Sequence, residues 1–204
     1  MNIRTLVRVR MTRYFKTDIY VMNRCSRADA IIVDMEKKSL DDSYKMRSLD
    51  ILTKSSYNIP KLMVDTVSPP ASNPWISHMS SNPKIRGIAV RYEDEQTMDE
   101  LDNTVISDND TVYTMIYDTQ LKRITHSIIS YHMINDHDIQ WNSRLRTSVQ
   151  QFLNLQIQPL AARRLRFTDT KSAIGEYELL KEIGFKGAVI QNPNLIEMTN
   201  QLFT

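Results

Sequence analysis

Three histidines lie close together in the second half of the chain and raise the question of a metal site. His126, His132 and His137 are separated by six and five residues. Neither spacing places all three imidazoles on one face of a helix, where residues three or four apart become neighbours. Cys25 is the only cysteine, which excludes a cysteine-rich zinc site and an internal disulfide. These residues therefore do not predict a zinc centre.

The chain also lacks the short motifs of several enzyme classes. No GxGxxG, GxxxxGK[ST] or GxSxG pattern occurs, so phosphate-cradling loops and hydrolase nucleophiles have no support. The basic segment AARRLRF (161–167) could hold a phosphate of coenzyme A or of a nucleotide, or could form surface ion pairs. Lys and Arg number 26 against 24 Asp and Glu, a net charge of +2. Because this basic field is weak, we expect no nucleic-acid partner.

The N-terminal segment MNIRTLVRVRMTRYFK is basic but lacks the apolar core of a signal peptide. No stretch of the sequence approaches the ~18 apolar residues of a membrane span. A lone cysteine also fits a reducing compartment. We therefore expect a cytoplasmic protein without a membrane partner.

Short apolar runs alternate with amphipathic stretches, a pattern typical of βα units around a parallel sheet. The predicted strands are 4–9, 30–34, 61–65, 86–91, 112–117, 127–133, 157–162 and 188–191. The predicted helices are 39–55, 95–103, 143–155 and 171–183. About eight strands in 204 residues come near the lower limit for a closed barrel. The sequence predicts one α/β domain over 1–204, a TIM-type (β/α) barrel that is closed or incomplete, with an open doubly wound parallel sheet as the alternative.

Four segments resemble the aldolase-like family of the citrate lyase beta subunit and malyl-CoA lyase. GFKGAVIQNPNLIEMTNQLF (184–203) is similar to the family's terminal pattern GFxGKxxIHPxQIxxxNxxF. RADAIIVDMEKKSLDDSYKMR (27–47), IRGIAVRYEDEQTMDEL (85–101) and MIYDT (115–119) resemble regions of the second, fourth and fifth strands, in that order. The resemblance implies a barrel enzyme that makes or breaks carbon–carbon bonds in a small hydroxy or keto acid, or in its coenzyme A thioester.

The resemblance also implies a Mg²⁺ site at the C-terminal ends of the strands. In the family the metal ligands are a Glu ending the fifth strand and an Asp ending the sixth. Asp118 stands at the first position, and Asp136 or Asp138 is the candidate for the second. Asp is one methylene shorter than Glu, which withdraws its oxygens by roughly one C–C bond length from an ion that requires near-octahedral geometry. The segment INDHD is equally typical of a polar turn.

Two further sites are implied on the first two strands. Asp34 and Glu36 match acidic positions that the family has, and they would support the metal or the substrate from the second strand. The competing interpretation is that Glu36 begins a solvated loop. Arg8 and Arg10 resemble an early arginine of the family, and one of them could reach a phosphate or carboxylate of the ligand. Of these residues, Asp34, Glu36 and Arg8 are predicted to be catalytic.

Several family positions carry other residues in this chain. Met63 or Val64 replaces an arginine, Tyr92 replaces a lysine and Asn192 replaces a histidine. Tyr92 and Asn192 are nevertheless predicted to contact the substrate. Two hypotheses follow: a diverged Mg²⁺-dependent carbon–carbon lyase, or a catalytically degenerate relative that serves as a binding or assembly subunit. The resemblance also implies a homo-oligomer, a trimer or hexamer.

Overall fold

Eight parallel strands form the centre of the protein. The computed structural model describes residues 3–10, 20, 23–34, 41, 43–44, 47, 50, 61–66, 85–91, 113–118, 129–134, 143–162 and 170–204. The strands are β1 (Thr5–Arg10), β2 (Ala30–Asp34), β3 (Lys61–Thr66), β4 (Ile85–Arg91), β5 (Tyr113–Asp118), β6 (Ile129–Ile134), β7 (Gln158–Ala161) and β8 (Gly187–Ile190). Each lies within two residues of its predicted bounds.

The strands follow their sequence order around the sheet. Each strand pairs in parallel with the next, and β8 pairs with β1, so the ring of strands closes. A doubly wound sheet would instead reverse its strand order at a switch point. The seam between β7 and β8 is short, with Leu160 opposite Gly187 and Ala161 opposite Ala188. The predicted (β/α) barrel architecture is therefore confirmed.

Helices pack around the C-terminal strands. They are α1 (Ser143–Asn154), α2 (Thr170–Ile183) and α3 (Ile196–Leu202), with a 3-10 turn at Pro193–Leu195. In α1 the residues Leu145, Val149 and Phe152 are buried at the spacing of one helix face. The helices predicted at 143–155 and 171–183 are confirmed, and residues 43, 44, 47 and 50 within the predicted helix 39–55 are helical. The helix predicted at 95–103 lies outside the described residues.

None of the helices that the structure describes is long and apolar enough to cross a membrane.

Side-chain alternation along β1 separates the barrel interior from the surface that the helices cover. Leu6 of β1 belongs to a buried apolar cluster with Ile3, which precedes β1, and with residues of β2, β8 and β7 or its end: Ala30, Ile32, Val189, Leu160 and Ala162. Thr5 lies on the other side of β1, where its hydroxyl donates a hydrogen bond to Asn200 Oδ1 of α3 at 2.6 Å. Because successive strand residues point to opposite faces, the even-numbered positions of β1 face the interior.

A buried glutamine closes the N-terminal end of the barrel. Gln158 begins β7, and its side chain bridges the backbone of Ile3. The Ile3 amide donates to Oε1 at 2.9 Å, and Nε2 donates to the carbonyl of Ile3 at 2.6 Å and of Lys186 at 3.3 Å. Gly187 lies beside this bridge, where a Cβ atom would collide with the carbonyl oxygens of Ile3 and Arg4. This end of the barrel is therefore tightly packed.

Candidate active site at the C-terminal rim

The C-terminal ends of the strands bring charged residues to one edge of the barrel. In the strand register Arg10 of β1 lies opposite Asp34 of β2, which lies opposite Asp65 of β3. Arg91 and Asp118 are the last residues of β4 and β5. Active sites of (β/α) barrels form at this edge. We call these five positions the C-terminal rim, and they form the framework of the candidate site.

Two members of the C-terminal rim, Asp65 and Arg91, are not among the site residues predicted from the sequence. Asp34 and Asp118 were identified through the family resemblance, whereas Asp65 and Arg91 are added by the strand register. The sequence does carry a signal for them, because KLMVD and IRGIAVR each place a charged residue at the C-terminal end of a strand. Both positions end a predicted strand, at the edge where barrel active sites form.

Arg8 lies deeper in the barrel than the rim. It shares the even-numbered face of β1 with the fully buried Leu6, and in the register it lies opposite Ile32 of β2. The residue as a whole is partly buried, and its Nε atom is buried. The structure thus places the predicted residue Arg8 on the interior face of the barrel, one row below the pair formed by Arg10 and Asp34.

Asn192 follows the C-terminal end of β8 and is exposed. Its Oδ1 atom accepts a hydrogen bond from the backbone amide of Asn194 at 3.0 Å, which caps the 3-10 turn. Pro193 occupies the first position of that turn, where its missing N–H costs nothing. The side chain that was predicted to contact the substrate therefore has a local structural role at the correct end of the barrel.

Several predicted site residues lie outside the described residues: Glu36, Tyr92, Asp136 and Asp138. Positions 163–167 of the basic segment also lie outside them, as do His126 and His137, whereas His132 is on β6. Across the part of the chain that the structure describes, no group of three or more His, Cys, Asp or Glu side chains is arranged to hold a metal ion. The assignment of Asp118, the last residue of β5, as a metal ligand stays a prediction.

Arg4 and Asp29 form an ion pair at the N-terminal end of the barrel, opposite the candidate site. Asp29 accepts hydrogen bonds from the Arg4 amide at 2.7 Å, from Arg4 Nε at 3.1 Å and Nη2 at 2.9 Å, and from the Thr5 amide at 3.3 Å. Burial alone would raise the pKa of Asp29, but the hydrogen bonds and charge of Arg4 outweigh it and lower the pKa below its ordinary value. This carboxylate holds the start of β1.

The single cysteine is not an activated nucleophile. Cys25 is fully buried, and burial raises the pKa of its thiol to about 11 despite the opposing charge of Arg24. At neutral pH the thiol is therefore protonated, whereas the nucleophilic form of cysteine is the thiolate.

The C-terminal segment that resembles the family pattern is held together by structural contacts. Gly184 has a φ of 114°, a left-handed conformation that favours glycine after a helix. Phe185, Ile196 and Phe203 are buried. Asn200 accepts from the Thr5 hydroxyl at 2.6 Å, and its Nδ2 donates to the Arg27 carbonyl at 2.9 Å. These matching residues of the segment therefore have structural roles in holding the C-terminus against the barrel.

Solved structures with the same fold cover nearly the whole chain. A citrate lyase from Burkholderia xenovorans LB400 superposes with a TM-score of 0.72 at 8% identity, covering 100% of this chain and 77% of that one. The CitE protein of Mycobacterium tuberculosis, in complex with magnesium and acetoacetate, gives 0.66 at 12% identity with coverages of 100% and 92%. The magnesium/glyoxylate complex of Haloferax volcanii malate synthase gives 0.68 at 9% identity with coverages of 98% and 75%.

No protein-family model matches the chain, and no curated protein matches it by sequence. The likeness to the solved structures confirms the predicted resemblance at the level of the fold. The barrel therefore has the same fold as these citrate lyase and malate synthase structures.

Proposed function

We propose that the C-terminal rim is the site of a diverged carbon–carbon lyase that acts on a small keto or hydroxy acid with Mg²⁺. The observation that carries the proposal is the register row in which Arg10, Asp34 and Asp65 stand side by side at the end where barrel active sites form. Asp118 ends the fifth strand of the same edge. Carboxylate oxygens are the ligands that Mg²⁺ prefers, so the residue types of the rim fit this ion.

In this proposal each residue has a defined task. Asp118, with Asp136 or Asp138, would hold Mg²⁺, and Asp34 and Glu36 would support the metal or substrate from the second strand. Asn192 and Tyr92 would line the substrate site. The bound ion would stabilise the negative charge of an enolate as the carbon–carbon bond breaks or forms. The structures of similar fold that contain magnesium with glyoxylate or acetoacetate support this choice of ion and acid.

A calorimetric titration tests the metal site. Mg²⁺ is titrated into the full chain alone, with pyruvate, with oxaloacetate, and with acetyl-CoA as the thioester probe. We expect Mg²⁺ binding that strengthens when an acid is present, and we expect the Asp118→Asn variant to lose it. Glu178→Gln is the matched control. It also replaces a carboxylate by an amide, but Glu178 is exposed on α2 and is not one of the five rim positions. The absence of heat in every combination with folded wild-type protein would refute the proposal.

A second candidate function is that of a catalytically degenerate subunit that binds a ligand or assembles with other chains. The capping role of Asn192 favours it, since this position carries a histidine in the resembling family and here its Oδ1 binds the Asn194 amide. This function predicts no Mg²⁺ affinity and no turnover. We also propose a trimeric or hexameric assembly, which sedimentation velocity of the full chain would test for either function.

A further inference from the structure

Gln191 is an exposed amide side chain that directly follows β8. All four residues of β8 are buried, and exposure begins at Gln191. In the family pattern this position carries an isoleucine, so the chain has two hydrogen-bond donors and an acceptor where the family has an apolar side chain. Within the part of the chain that the structure describes, no hydrogen bond involves the side chain of Gln191. Its amide can therefore bind a ligand.

The register between β8 and β1 gives the position of Gln191 in the barrel. Leu6 lies opposite Val189, and both belong to the buried interior cluster. Because successive residues of a strand alternate between its faces, the next interior positions are Arg8 on β1 and Gln191 after β8. The register pairing between the two strands ends one residue before these positions. Gln191 therefore continues the interior face at the C-terminal end of the barrel.

Burial changes between these two levels of the interior. Leu6 and Val189 are buried, whereas Arg8 is partly buried and Gln191 is exposed. Ile32 of β2 lies opposite Arg8 and is fully buried. The interior thus opens to solvent on the side of β8 rather than toward β2, at the end where barrel active sites form. A ligand bound in this opening would contact the end of β8.

The turn after Gln191 fixes the backbone at this position. The side chain of Asn192 accepts from the Asn194 amide at 3.0 Å, and Arg24 Nη2 donates to Asn194 Oδ1 at 2.7 Å. Leu195, at the end of the turn, is buried. A residue between a buried strand and an anchored turn has little backbone freedom to lose when a ligand binds, so the entropic cost of binding is small.

We propose that Gln191 binds an uncharged polar substituent of the ligand and selects keto acids with a hydroxyl group over their apolar isosteres. This inference rests on the proposed function and narrows its substrate class. An amide carries no charge, so it complements a hydroxyl group rather than a second carboxylate or a phosphate. An apolar isostere would displace water from the amide without replacing its hydrogen bonds, and this loss weakens binding.

The test uses hydroxypyruvate and 2-oxobutyrate, which share a keto group and a carboxylate and differ by a hydroxyl in place of a methyl group. Both are titrated into the full chain with Mg²⁺ present. We expect the wild type to prefer hydroxypyruvate by about fivefold, the effect of one hydrogen bond. Gln191→Leu should lose this preference because it binds hydroxypyruvate more weakly. Gln201→Leu, which removes an exposed amide from α3, should keep it.

Gln191→Glu provides a second measure of proximity. It keeps the shape of the side chain but adds a negative charge, so it should weaken the binding of both anionic acids. Unchanged affinity for both acids in this variant would place the side chain outside the ligand site and overturn the inference.

The outcomes separate the two proposals. If the folded wild type binds neither acid, the proposed function fails and the role of Gln191 fails with it. If the wild type binds both acids equally, or if Gln191→Leu keeps the preference for hydroxypyruvate, only the role of Gln191 is overturned. An equal loss of both acids in Gln191→Leu indicates disrupted packing and also counts against selection by the amide.

Discussion

The two ends of the barrel use polar residues in different ways. At the N-terminal end, Gln158 and Asp29 bind the backbone and side chains of the first residues of the chain. At the C-terminal end, Arg10, Asp34 and Asp65 form a row of charges at the strand ends. The polar side chains of the first end bind groups of the protein itself, whereas the proposed function assigns those of the second to an anionic ligand and a metal. Stability and chemistry are therefore expected to separate along the barrel axis.

The largest effect on stability should come from Gly187→Ala at the N-terminal end. A Cβ atom there would meet the carbonyl oxygen of Ile3, and it would lie 2.8 Å from that of Arg4 and 2.9 Å from Leu160 Cδ2. Since backbone atoms would have to move at the short β7–β8 seam, we expect a loss of more than about 3 kcal/mol in the free energy of unfolding. Urea denaturation followed by circular dichroism measures it.

Gly175→Ala is the matched control for that substitution. Gly175 lies within α2, and nothing is within 4 Å of the position of its Cβ atom. Alanine should therefore raise the free energy of unfolding by about 0.5–1 kcal/mol, the usual gain in a helix interior. Equal stability of the two alanine variants would show that the N-terminal end is less tightly packed than the contacts of Gly187 indicate.

The next largest effect should come from Gln158→Ala. The substitution removes the side chain that satisfies both the amide and the carbonyl of Ile3. Because an unsatisfied buried polar group costs about 1–3 kcal/mol, we expect a loss of roughly 2–4 kcal/mol, measured by the same denaturation. Gln150→Ala is the control, since Gln150 is exposed and its side chain donates to Asn154 of its own helix. Pyruvate affinity of folded Gln158→Ala should equal that of the wild type.

Asp29→Asn should produce a smaller effect that depends on pH. The pKa of Asp29 is lowered in the folded state, so its stabilisation is present above the unfolded pKa and is lost as pH falls through the folded pKa. We expect wild type to exceed Asp29→Asn by about 1–2 kcal/mol at pH 7, because Arg4 is one-third exposed and the pair is partly screened.

Denaturation midpoints from pH 7 down to pH 2.5 measure this dependence. The difference between the two proteins should shrink below about pH 4, the ordinary pKa of an aspartate, as the wild-type carboxylate gains its proton. A difference that stays constant across this range would mean that Asp29 acts through geometry rather than through charge.

The sequence predicted the strands well because their physical signal is local. Apolar runs such as ADAIIVD and KGAVI marked β2 and β8 without any knowledge of their neighbours. The resemblance at the C-terminus worked for a related reason, since Gly184, Phe185 and Asn200 are constrained by helix termination, burial and a contact with Thr5. These requirements belong to the fold, which this chain shares with solved structures at 8–12% identity.

The candidate site was only partly predictable because it depends on register between distant strands. Asp65 becomes part of the C-terminal rim through its pairing with Asp34, which no local pattern encodes. Asn192 could be aligned with a functional position, but its capping bond to the Asn194 amide depends on the turn that follows β8. The position of a residue in a motif therefore predicted its location in the fold better than it predicted the role of its side chain.

The smallest effect should come from breaking the surface ion pair beside α3. Arg27 Nη1 lies 2.9 Å from Glu197 Oε2, but the two side chains are 79% and 63% exposed. Because exposed pairs are screened by water and salt, Glu197→Gln should change the free energy of unfolding by no more than about 0.5 kcal/mol. Asn200→Ala, one turn further along α3, should cost about 1–2 kcal/mol, since it removes the partner of the fully buried Thr5. A larger loss in Glu197→Gln than in Asn200→Ala would mean that surface charge, rather than the buried contact with β1, fastens the C-terminal segment to the barrel.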